Sequence, residues 1–277
     1  MDLKILLDTP PWEWPRGVAK TFRELLNDRQ ADPSERLIAA DLAGDITVMD
    51  NDTADALLAV ARNAAEPEEL RAKAVISFGP SLELAEMGFD DPDDVPISEQ
   101  KFHQVQEELR KLYSDTGNPK LFRRRILEAS VRCSAPWHRD AVREAYASGD
   151  KDWTLTAVFA MQYVPGFEKE TLEALKSADR DIHYHAVIAA GNKELDDAWP
   201  HILKLVEDGE TAKNLRIAAI GAIGSIRPHE AREILTGLAG SDDEDIADAA
   251  DEALSLLQTN PYGEDEEEDE DGDDWIN

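Results

Sequence analysis

The sequence predicts an all-α protein built as an α-solenoid, a right-handed superhelix of about six stacked helix pairs, and three observations predict it. An Arg followed eight residues later by a Gly recurs at Arg36/Gly44, Arg71/Gly79 and Arg216/Gly224, and His183/Gly191 keeps the spacing with a different first residue. Self-similarity at a fixed period is the signature of repeat architectures. Nearly every stretch between Gly, Pro, Asn and Asp breakers reads as an amphipathic helix of about 11 to 18 residues. No stretch sustains the period-two alternation, rich in Val, Ile, Thr and aromatics, that marks a half-buried strand.

Segment 1–33 is expected to cap the array. A helix after Pro15 carries Val18, Phe22, Leu25 and Leu26 on one face, while Trp12 and Trp14 cover the open end, because terminal repeats need special covering. The array spans 34–258. Its first pair is 34–43, with Ser34 as N-cap after Pro33, and 53–64, which carries Ala56, Leu57, Val60 and Ala61. The second pair is 68–78, with a continuation past Pro80 left open, and 98–113. Between them 80–97 is an insertion, read as an acidic loop from the four aspartates and two prolines between Gly88 and Pro96. The pairs 119–133 and 138–147, 153–164 and 168–177, 182–190 and 199–207, and 214–226 and 229–239 follow, and a helix at 246–257 closes the array. Residues 259–277 form a low-complexity acidic tail, expected to be disordered by its charge and its shortage of apolar groups.

The Gly of the frame falls at 44, 79, 191 and 224, and spacing places its counterparts at Cys133 and Tyr163 in degenerate repeats; the insertion accounts for the one long interval. Ala39, Ala40, Ala74, Ala189, Ala218, Ala219 and Ala222 let neighbouring helices approach closely, and the Gly suits a left-handed cap or a close approach. The pattern Leu-Arg-x-x-Ala-x-x-x-Ile-Gly at 215–224, followed by the acidic turn Ser241 to Asp245, resembles HEAT repeats of the bilin-lyase-like subtype. The resemblance covers residues 34 to 258. It implies a scaffold of stacked helix pairs, and it brings three chemistries to weigh. A hydroxylase with a di-iron centre places several His-Glu pairs around its metals, whereas His229-Glu230 is the only such pair here and cannot supply the ligands. A bilin lyase needs a chromophore pocket that no residue pattern identifies. A DNA glycosylase needs a basic groove, for which Trp137, Trp153 and Arg143 would serve against an adverse net charge.

That charge is -31, from 60 acidic and 29 basic residues; ten of the acidic ones lie in 264–274, so the body carries about -21. A field of that sign repels phosphate backbones and anionic membranes. Cys133 is the only cysteine, which excludes an intramolecular disulfide and a thiolate zinc site. It is expected to pack as a small hydrophobe. The N-terminus fits no secretory signal and no run approaches a membrane span, so a cytoplasmic protein is expected.

Residues 118–143 reverse the sign, with seven Lys or Arg against two carboxylates. Two readings stand. The arginines pair with acidic neighbours from adjacent repeats, such as the 90–94 loop, or Arg123, Arg124, Arg125, Arg139 and Arg143, with Trp137, form a site for an anionic partner, since Arg forks recognise carboxylates and phosphates. Arg139 and Arg143 share one helix face. Trp275, at the end of the acidic tail, is an anchor for a partner or for return onto the arginine region. His183 and His185 point in different directions on a helix and are not expected to share a metal. The function expected is a non-catalytic protein-interaction scaffold, without cofactor or metal, whose concave surface of second helices, with Arg139, Arg143 and His201, binds a protein with an acidic surface. The alternatives are a bilin-lyase-like enzyme subunit and a nucleic-acid binder using 118–143.

Overall fold

The computed structural model describes residues 3–88 and 95–259, and every regular element among the described residues is helical. The chain divides into two compact units, Met1–Phe167 and Glu168–Asn277. The first contains α1 (Leu3–Leu7), α2 (Val18–Asn27), α3 (Pro33–Leu42), α4 (Asn51–Arg62), α5 (Glu68–Ile76), α6 (Gly79–Gly88), α7 (Glu99–Ser114), α8 (Lys120–Ser130), α9 (His138–Ala147) and α10 (Lys151–Ala160). The second contains α11 (Glu168–Ala174), α12 (Arg180–Asn192), α13 (Trp199–Glu207), α14 (Lys213–Ile226), α15 (Pro228–Leu238) and α16 (Glu244–Thr259). Each unit is layered as an α-solenoid. In the first, α3, α5, α8 and α10 pack successively, with α2, α4 and α7 as the second row; in the second, α12, α14 and α16 form the corresponding row, with α13 and α15 against it.

Aspartates start many of these helices. Asp32, Asp50, Asp150 and Asp179 each accept hydrogen bonds from backbone N–H groups of the following first turn, satisfying donors that have no partner inside the helix. The cap of α3 is therefore Asp32 and not Ser34, because Pro33 occupies the first helical position, where its missing N–H costs nothing. Part of the chain's negative charge is thus a set of caps placed at positive helix ends.

The 80–97 stretch departs from expectation. Residues 79–88 are the helix α6, with Pro80 in its first turn and Leu82 and Ala85 fully buried against the rest of the unit. The prolines and aspartates that suggested a loop begin two residues later, and 89–94 lie outside the described residues. At the N-terminal end, Trp14 does the expected covering: its ring stands edge-on to Phe22 at 5.8 Å and its Nε1 donates to the Thr9 carbonyl at 2.8 Å. Trp12 does not, being 81% exposed.

The Arg-to-Gly frame has a physical content at both ends. The Arg36 Nη2 donates to the Leu26 carbonyl, and Arg71 Nε, Arg123 Nε and Arg216 Nε donate to the carbonyls of Ala61, Tyr113 and Val206, all at 2.9 Å and all ten residues back. Each acceptor is the penultimate residue of the preceding helix, where carbonyls lack helical partners and a cation is favoured. None of the frame glycines has a positive φ; Gly44, Gly79 and Gly191 are close-approach positions, whereas a Cβ at Gly224 would make only ordinary contacts. A Cβ at Gly44 would lie 2.8 Å from Ser77, and one at Gly191 would lie 2.7 Å from the Ala222 Cβ. Because Arg123 makes the same clamp, the third glycine counterpart is Val131, and the placement at Cys133 shifts by two.

Candidate functional site

The basic segment 118–143 is spread over α8, the connection 131–137 and α9, and in space nearly all of its charge is answered. Lys120 Nζ sits 2.7 Å from Asp152 and 3.1 Å from Asp150. Hydrogen bonding to Lys120 holds the Asp152 carboxyl below its ordinary range. Arg123, beyond its clamp on Tyr113, lies over the rings of Tyr113 and Trp153 at 5.0 and 5.5 Å. Arg124, 8% exposed, donates to the Thr156 hydroxyl at 2.8 Å and lies 3.8 Å from Glu128. Glu128 is itself buried, accepts from Thr156 Oγ1 at 2.6 Å and pairs with Arg125. This buried carboxylate is tied to both arginines and a hydroxyl, which is the condition under which a charge can be buried without heavy loss.

Arg132 pairs with Glu83 of α6 at 2.7 Å and lies over the Phe159 and Tyr163 rings. Of the carboxylates that answer the segment, Glu83, Asp150 and Asp152 come from neighbouring elements, as the pairing reading expects, whereas Glu128 and Asp140 belong to the segment itself. The 90–94 aspartates and Trp275 lie outside the described residues. A nucleic-acid backbone therefore meets no continuous row of unanswered cations on this segment.

Two of the arginines remain turned outward on α9. Arg143 is exposed and its only ion pair among the described residues is with Asp140 of its own helix, at 2.6 Å. Arg139 is exposed and has no ion pair among the described residues. Its guanidinium lies over Gly166, where a Cβ would sit 2.6 Å from Nη2; the guanidinium can swing aside, but the φ of +89° at Gly166 is a backbone conformation that favours glycine. Trp137, half-buried, stacks on Tyr113 with ring centroids 4.9 Å apart, and it precedes α9 without capping it through its side chain.

Beside the start of α9 a cleft of about 640 Å³ opens between the 131–136 connection and residues 162–165. His138 lines it and is 2% exposed, with its Nε2 buried and lacking a hydrogen-bond partner. Burial pushes its pKa down to about 4, so the ring is neutral near pH 7. Cys133 also lines the cleft, but burial pushes its thiol up to about 11, which suppresses the thiolate that nucleophilic or redox chemistry requires. Sequence reasoning missed His138 because a single His at a helix start carries no pattern.

In the second unit the structure brings together two residues that the sequence keeps apart. His183 on α12 and His201 on α13 face each other with Nε2 atoms 2.8 Å apart and ring centroids 5.0 Å apart. That is a head-to-head imidazole hydrogen bond, in which the two nitrogens point at each other and not at a shared ion. Burial lowers the pKa of both, and His183, Lys204 and Lys176 lower that of His201 further. His185 instead stands edge-on to the Tyr184 ring, with centroids 5.4 Å apart. Among the described residues no group of three or more His, Cys, Asp or Glu is placed to hold a metal ion, and no helix is long and apolar enough to cross a membrane.

Residues 168–255 match the family of HEAT repeats. No curated protein matches the chain. Among solved structures, human deoxyhypusine hydroxylase in complex with glycerol is similar at 16% identity, with 89% of this chain and 86% of that chain covered and a TM-score of 0.41.

Proposed function

We propose that this protein is a non-catalytic interaction scaffold, and that α9 of the first unit carries its partner-contacting edge through Trp137, Arg139 and Arg143. One observation carries the reading: Lys120, Arg123, Arg124 and Arg132 are spent on contacts to neighbouring helices and Arg125 on Glu128 of its own helix, and that use stops at α9. A helical-repeat scaffold supplies an extended rigid surface, and Arg with a half-buried aromatic is the composition that concentrates binding energy at interfaces. An acidic partner surface suits it, with charge setting orientation and association rate. Arg123, Arg124 and Arg125 support that edge from within and do not themselves form it.

Affinity capture with the full chain tests the reading. A stoichiometric protein partner is expected with the native chain, and it is lost in an Arg139→Glu/Arg143→Glu variant that keeps its helical circular dichroism. A partner retained undiminished by that variant moves the interface elsewhere. Visible absorbance acquired on co-expression with a tetrapyrrole pathway would instead favour the bilin-lyase-like alternative.

A further inference from the structure

We propose that the cleft beside the N-terminus of α9 binds a single carboxylate carried on a small apolar body, held by Arg139 at the mouth and His138 in the wall. Four features of the cleft point to that ligand. The guanidinium of Arg139 lies against Gly166 with no carboxylate partner among the described residues, so one positive charge at the cleft is unanswered. His138 is buried, lines the same cleft and has an Nε2 without a partner; buried polar atoms in native proteins are ordinarily hydrogen-bonded, and an exception points to a missing group. The ten-residue helix α9 begins at His138 with no side-chain cap, so its positive end also faces this space. Val131, Pro136, Val164 and Pro165 give the wall an apolar part, beside the polar Ser134, Gln162 and Tyr163.

The charge balance selects among anions. Arg132 is paired with Glu83, and Glu86, which also lines the cleft, accepts from the Ser134 N–H at 3.1 Å. Beside the Glu86 carboxylate, a ligand with one negative charge is repelled less than the double charge of a phosphate monoester, so the anion that Arg139 can hold there is a monoanion. Nε2 of His138 lies just beneath the wall, so the ring has to turn toward the cleft to give the carboxylate an N–H; being neutral it adds no charge, and the apolar part of the wall covers a short aliphatic group. The same chemistry comes from two sources, a free short-chain carboxylic acid or the C-terminal carboxylate of a protein partner. The second source rests on the interaction reading above; the first does not.

Titration of the purified full chain tests this, with three probes: sodium 3-methylbutanoate, the tetrapeptide acetyl-Gly-Gly-Val-Leu with a free carboxylate, and the same peptide as its C-terminal amide. Saturable binding of at least one acid is expected at millimolar concentration or below. It should shift the His138 ring resonances in NMR spectra and weaken at least tenfold in Arg139→Gln, an exposed position whose substitution leaves the core untouched. The amide should bind at least tenfold more weakly than the peptide acid. Equal binding of both acids identifies a free acid as sufficient, and binding of the peptide acid alone identifies a chain end. No saturable binding of either acid, or binding that is unchanged in Arg139→Gln, overturns the proposal. Such a failure leaves the capture experiment standing, because Arg143 is not among the residues of the cleft.

Discussion

His138 shows how a single buried residue links stability to pH. Its pKa falls from the ordinary value of 6.5 to about 4 because burial disfavours the imidazolium. Above pH 6.5 neither the folded nor the unfolded chain protonates it, and its titration leaves stability unchanged. Below 6.5 the unfolded chain takes up a proton that the folded chain refuses, so stability falls with pH until about 4, by up to about 3 kcal/mol. Urea melts between pH 7 and 5 should show a shallower decline for His138→Gln than for the native chain, and parallel curves would refute this account. Glu66 acts in a lower window. Its hydrogen bond from Arg36, at 2.6 Å, lowers its pKa from 4.5, so the stability it contributes is complete above that value and is lost as pH falls through the lowered one. Glycines show an equally local contrast. At Gly191 a Cβ would lie 2.8 Å from the Ala222 Cα, whereas at Gly221, also inside a helix, nothing lies within 4 Å. Gly191→Ala is therefore expected to destabilise by about 1–3 kcal/mol, and Gly221→Ala to stabilise by roughly 0.5–1 kcal/mol. Opposite signs in thermal melts check the pair.

The arginine clamp belongs to the scale of the element, because it joins the start of one helix to the end of the helix before it. Removing the Arg216 side chain leaves the Val206 carbonyl without its donor, and Arg216→Met should cost about 1–3 kcal/mol. Arg123→Met should do the same in the first unit through Tyr113, and a loss of melting temperature there marks Arg123 as part of the scaffold. Unchanged stability in both would mean that water replaces the clamp. The helices themselves were legible in the sequence, since 138–147 and 199–207 have the expected bounds and breakers flank most of the others. The α6 helix is hidden by its neighbours: the acidic, proline-containing run that follows it makes 80–97 resemble one loop, although Leu82 and Ala85 carry a buried face and Pro80 sits where a helix tolerates it. The clamp role of Arg123 was hidden because the frame was set by its glycine, and this repeat has Val131 there. His183 and His201 stand 18 residues apart on different helices, and local spacing carries no sign of their contact.

At the scale of the whole molecule, two electrostatic tendencies oppose each other. Sequence counting shows the net charge of -31 and the local reversal at 118–143, but it cannot show that Lys120, Arg124, Arg125 and Arg132 meet carboxylates on α6, α8 and α10 or at its start. Added salt weakens the exposed members of that set, such as Lys120 with Asp152 and Lys213 with Asp243, and exposed pairs contribute little, about 0–1 kcal/mol each. The buried pairs, Arg36 with Glu66 and Arg124 with Glu128, are screened much less. The same salt screens the mutual repulsion of about twenty uncompensated negative charges of the body, which the compact state concentrates and the unfolded state spreads out. Since the losses are few and small while the repulsion involves the whole chain, the second effect should win. The melting temperature at pH 7.5 should therefore rise as sodium chloride increases from about 10 mM to about 150 mM, the range over which the Debye length contracts to about 8 Å. A fall over that range would mean that the ion pairs between helices outweigh the net charge, and stability would then have to be assigned to the pairing network of 118–143.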